Sequence, residues 1–149
     1  MFPNNVHAAL ILARVEQARG QSAAALARCA ALLHGREVAS LPADKQLVAQ
    51  ITYEQARIAL AAGDLAAARR WRDTRPTDLE LPRAQCDREE LLLARLLAAE
   101  GDPGAAAQIL EPLLAAAEAD RRGRVALELR VPLALAFAAA GRPHDSRMA

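Results

Sequence analysis

LLLARLLAAEGDPGAAAQIL, residues 91–110, reads as one helix that stops at a glycine and a second that starts at once. Leu and Ala carry both flanks, and both favour helix over strand. Gly101 can take the left-handed conformation that ends a helix, Asp102 is a natural N-cap, and Pro103 suits the first helical position, where no N–H is needed. The stretch is the elbow of a helical hairpin.

The elbow recurs. An Ala seven positions before a helix-closing Gly gives Ala13/Gly20, Ala56/Gly63, Ala94/Gly101 and Ala134/Gly141, with a second small residue five positions after each Gly: Ala25, Ala68, Ala106 and Ser146. Small side chains on both helices let the backbones cross closely, while Leu, Ile and Val at three- and four-residue spacing fill the seam. Elbows about 40 residues apart predict an all-α chain, a right-handed α-solenoid of TPR-like hairpins with about four repeats, in a single domain over residues 1–149. First helices are expected near residues 5–19, 42–62, 84–100 and 123–140, and second helices near 22–34, 64–73 and 103–120. A fourth second helix would start near Pro143, and Pro112 and Pro132 should kink their helices or end them early.

Composition narrows the function classes. Hydrophobic residues are 53% and aromatics only 3%, so the core must come from Leu, Ala, Val and Ile, which suits packed helices. A net charge of +1 from 19 basic and 18 acidic side chains gives no overall field for nucleic acid or an anionic membrane. Cys29 and Cys86 stand apart with no CxxC and no nearby His, the N-terminus has no signal-peptide pattern, and a cytoplasmic, reducing location is expected. The apolar run Val131 to Ala140 precedes a short polar end, which reads as a segment of a longer protein or one half of an oligomer, with self-association expected.

Chemistry-bearing constellations are sparse. His7, His34 and His144 are isolated, no GxSxG or HExxH occurs, and the acidic run Asp87 to Glu90 sits where a helix N-terminal half welcomes negative charge. No enzyme, cofactor or metal site is expected. The basic runs at residues 69–75 and 120–124 fall at helix C-terminal ends, where Arg complements the helix dipole, and Trp71 is expected to pack between hairpins.

One alignment is sharper. Six residues before successive elbows stand Arg14, Arg57 and Arg95, then Leu135; thirteen before stand His7, Gln50, Arg88 and Glu128; ten before stand Leu10, Tyr53, Leu91 and Val131. In a TPR-like stack this face lines the inner groove, so Arg14, Gln50, Tyr53, Arg57, Arg88 and Arg95 form a candidate wall for a ligand or partner segment. The alternative is a solvated face with Arg stems covering Ala and Leu. On the binding reading, Arg57→Ala should weaken binding by about 1 to 3 kcal/mol with little effect on folding.

The run REELLLARLLAAEGDPGAAAQILEPLLAAAEADRRGRVALELRVPLALAFAAAGR, residues 88–142, resembles the TPR-like region of the MalT-type, large LuxR-family transcription activators. In that family ARLLLAQG-type hairpins are followed by LEPLLAAAEA and a Gly-Arg-Val step into the next helix, as at Leu110 to Ala119 and Gly123 to Val125. The likeness is close over about a third of the chain and extends to the rest through the repeat alone. Two departures stand: the units exceed the roughly 34 residues of a TPR, and its Trp and Tyr are mostly missing. The resemblance implies a sensor and interaction region receiving a small effector or a regulatory protein, between an ATP-binding module and a DNA-binding helix-turn-helix. Neither flanking module is visible in these residues: no GxxxxGK[ST] occurs and no residues remain after 149 for a DNA-reading helix, so no direct nucleic-acid contact is expected from this segment. With no apolar stretch of about 18 residues free of charge or breakers, no membrane contact is expected. A free-standing adaptor binding a peptide segment of a partner is the competing reading.

Overall fold

The computed structural model of the chain describes residues 3–34, 36 and 41–141. These form seven α-helices and no strand: α1 (Pro3–Ala18), α2 (Ser22–Leu33), α3 (Pro42–Ala61), α4 (Leu65–Thr74), α5 (Arg83–Ala99), α6 (Pro103–Ala119) and α7 (Gly123–Ala139). Boundaries fall within about two residues of the sequence expectation, the usual uncertainty of a helix end. Pro112 and Pro132 end nothing: α6 and α7 run through them. The helix expected near Pro143 and the small residue Ser146 lie outside the described residues.

The chain divides into two compact units between Leu81 and Pro82. In the first, α1 packs on α2 and α3, α2 on α3, and α3 on α4. Its core joins Val6, Leu10, Cys29, Leu32, Ile51 and Ile58 around Ala13 and Ala25. In the second, α5, α6 and α7 pack mutually around Leu110, Leu129, Leu133 and Phe137. The small-residue crossings are closed: Ala13 and Ala25, Ala56 and Ala68, and Ala94 and Ala106 are all buried. Ala134, the fourth of the series, is only half-buried.

The elbows at Gly20, Gly63 and Gly101 share one hydrogen-bond pattern. Gly63 and Gly101 each sit at φ +87°, and the next residue donates back five positions, Asp64 to the Ala59 carbonyl and Asp102 to the Leu97 carbonyl, both at 2.9 Å. This is the Schellman termination, which satisfies carbonyls left open at a helix end. Asp64 and Asp102 then cap the next helix through their side chains, accepting from Ala67 and Ala105 N–H at 3.0 Å. The α6–α7 turn uses the same geometry without a glycine: Arg121 takes φ 56° and Arg122 N–H donates to the Ala117 carbonyl at 2.8 Å. Gly123, the glycine of that stretch, is merely the first residue of α7.

This fixes a signed prediction. A Cβ added at Gly63 or Gly101 would meet nothing within 4 Å, so any cost is purely conformational. Gly63→Val and Gly101→Val should each cost about 1 to 2 kcal/mol or more, because a β-branched residue is strained at positive φ. Arg121→Gly should stabilise by about 1 kcal/mol, by relieving the same strain. Denaturant midpoints should shift in opposite directions; a common direction, or no shift, refutes the turn assignment.

Candidate functional site

The residues aligned before the elbows differ in their surroundings within each unit. Arg14 on α1 and Arg57 on α3 converge on one carboxylate, that of Glu54, which is 1% exposed although it lies in mid-helix. Arg14 binds it side-on, Nε to Oε1 at 2.9 Å and Nη2 to Oε2 at 3.2 Å. Arg57, one turn along α3, donates from Nη2 to Oε1 at 2.6 Å and from Nε at 3.0 Å. Its Nη2 also donates to Gln17 Oε1 on α1 at 2.7 Å. Burial pushes the Glu54 carboxyl up, but the hydrogen bonds and charges of the two guanidiniums outweigh it and hold the group below the usual carboxylate range. The hydrogen bond to Glu54 raises Arg14 in turn.

The network joins α1 to α3, so the expectation that Arg57→Ala would leave folding almost untouched is corrected: Arg57 helps neutralise a buried charge. Tyr53 is buried, packed edge-on against Trp71 with ring centroids 6.3 Å apart. Gln50 is half-buried one turn before Glu54. Arg88 and Arg95 are exposed on α5 in the second unit. Glu54 itself was missed because the alignment sought recurring residues, and the matching positions nine before the other elbows hold Ile11, Leu92 and Pro132. A lone acid in an otherwise apolar register was the available signal.

A second feature of the first unit has the form of a binding site. A cleft of about 700 Å³ opens among α2, α3, α4 and the segment following α4. That size lies within the range of small-molecule pockets. Leu26, Val48, Ala49, Ala56 and Trp71 give it apolar surface; Arg36, Lys45, Arg70 and Arg75 bring four cations against the carboxylates of Asp64 and Asp78. Trp71 has contacts within its own hairpin: Tyr53 meets it edge-on and the Arg75 guanidinium lies 5.2 Å from its ring centroid. Its indole N–H is shielded from solvent and has no acceptor. An unpaired buried donor costs about 1 to 3 kcal/mol.

The acidic and basic runs of the second unit are engaged with each other. Asp87 is held by Arg122; Arg83 pairs with Asp120 at 3.1 Å, and Glu89 is buried beside Gln85. No group of His, Cys, Asp and Glu that could hold a metal ion occurs among the described residues. No helix of the described residues is long and apolar enough to cross a membrane.

The two thiols differ in environment. Burial first, and the Glu54 charge second, push Cys29 up to about 11, whereas Cys86 is exposed. Since only the thiolate reacts, a disulfide reagent near pH 8 should titrate Cys86 quickly and Cys29 only on unfolding. Two equally fast thiols in the native protein would contradict this packing.

Comparison with family models, with characterised proteins and with solved structures gives no match.

Proposed function

We propose that the chain is the effector-receiving, helical-repeat region of a MalT-like, LuxR-type transcription regulator, its hairpins stacking as a right-handed TPR-like solenoid of about four repeats. The fold part is supported by the recurring Schellman elbows and buried Ala pairs, and by α1 packing on α3 and α5 on α7, the first-helix contacts expected of stacked hairpins. The family part is supported by the likeness of residues 88–142. One observation carries the receiving role: the cleft among α2, α3 and α4, with apolar walls and a cationic rim, has the size and mixed lining of a small-molecule site. An effector there, or a regulatory protein laid across the hairpins, would shift ATP-dependent self-assembly by binding one assembly state better than the other. The exposed apolar stripe of α7 is a surface for self-association.

The test begins with the reading frame that contains this chain. An ATPase module upstream and a helix-turn-helix downstream are expected, and the intact protein should assemble with ATP in an effector-dependent way. A frame carrying neither module ends the regulator reading in favour of a free-standing adaptor.

A further inference from the structure

The lining of the cleft says more than that something binds. Cations outnumber carboxylates by four to two, and one carboxylate is already committed, because Asp64 caps α4 by accepting the Ala67 N–H. Arg36 spends one donor on the Leu32 carbonyl at 2.5 Å, and Arg75 lies over the Trp71 ring. Lys45 and Arg70 are exposed and have no ion-pair partner among the described residues. The excess charge is positive, and it frames a wall of Ala, Val and Trp.

We infer that this cleft binds a small amphipathic carboxylate, its apolar body against Trp71 and the alanine-rich face of α3 and its head group at the cationic rim. Apolar lining alone would accept a neutral molecule equally well; the charge balance selects an anion. A planar carboxylate matches the guanidinium fork, which an alcohol does not. The size favours a compact molecule over an extended peptide, because a cleft of about 700 Å³ encloses a ligand of drug size. The inference deepens the effector reading above, yet its test does not depend on any flanking module.

Trp71 is the only tryptophan of the chain, so its fluorescence reports on this cleft alone. Octanoate is the probe, being spectroscopically silent, with octanol and octylamine as its neutral and cationic counterparts. Octanoate should change the emission saturably, octanol should bind at least about tenfold more weakly, and octylamine should not compete. Lys45→Ala with Arg70→Ala should weaken octanoate by about tenfold or more while leaving the denaturant midpoint in place. Arg124→Ala, on the exposed face of α7 in the second unit, should change nothing.

Equal affinities for octanoate and octanol, or no loss in the Lys45/Arg70 double variant, would overturn the assignment. So would the absence of any saturable change, in fluorescence and in thermal stability alike. A Glu-rich peptide that displaces octanoate and binds more tightly would give the cleft to a partner segment instead. Octanoate binding that survives a reading frame without ATPase or helix-turn-helix would end the regulator reading and leave this site standing.

Discussion

Replacing both Arg14 and Arg57 by alanine is expected to cost the protein about 3 to 5 kcal/mol, the usual penalty for stripping the partners from a buried charge. Glu54 would keep its place in mid-α3 at 1% exposure with neither of its cations. Either single replacement should cost much less, about 1 to 2 kcal/mol, since the remaining guanidinium still compensates the carboxylate and Arg14 is 47% exposed, where solvent already screens it. The pair should therefore be strongly non-additive in a double-mutant cycle.

Acid provides an independent sign. A carboxyl held below its ordinary value contributes stability that is present above about pH 4.3 and lost as pH falls through the depressed value. In the double variant burial alone acts, the carboxyl is pushed up, and the sign reverses: lowering the pH from 7 toward 5 should restore part of the lost stability. Glu54→Gln in the double-variant background should abolish that recovery. Denaturant unfolding at three pH values measures all of this, and additive single costs with no acid recovery would show that the network is an ornament of the surface.

The second large effect concerns association. Leu127, Val131 and Leu135 lie at four-residue spacing on one face of α7 and are 62%, 65% and 66% exposed, while the opposite face buries Leu129, Leu133 and Phe137. Burying an exposed aliphatic side chain of this size is worth about 1.5 to 3 kcal/mol. Three on each of two copies exceed the lower range of association costs, so a complex of micromolar strength is expected. The chain should sediment as a concentration-dependent oligomer, and Val131→Glu with Leu135→Glu should return it to a monomer of unchanged helicity, because a charge buried without a partner is prohibitive. A clean wild-type monomer at about 100 micromolar, or an oligomer indifferent to the two glutamates, would remove α7 as the interface.

These outcomes separate what the chain carries locally from what the fold assembles. Gly20, Gly63, Gly101 and Gly141 were legible as elbows, and all take φ between +77° and +87°, because helix termination depends on a few consecutive residues. Ala13, Ala56 and Ala94 were legible as crossing points because helical periodicity puts a small residue at a fixed distance from the turn. Arg121 was not legible: a non-glycine residue at positive φ has no marker in the local sequence, and only the geometry of the turn places the left-handed residue at the arginine.

The candidate site marks the same limit more sharply. Position in the repeat identified Arg14 and Arg57 as related residues, but a guanidinium binds whatever acceptor the fold brings to it. That acceptor, Glu54, lies 40 positions from Arg14 and has no acidic counterpart nine residues before the other elbow glycines. The basic rim of the cleft is likewise drawn from α3, α4 and the segments following α2 and α4. Helices, elbows and crossings follow from sequence because their causes are short-range. Charge neutralisation and cavities depend on distances between residues far apart in the chain, and those exist only once the helices have packed.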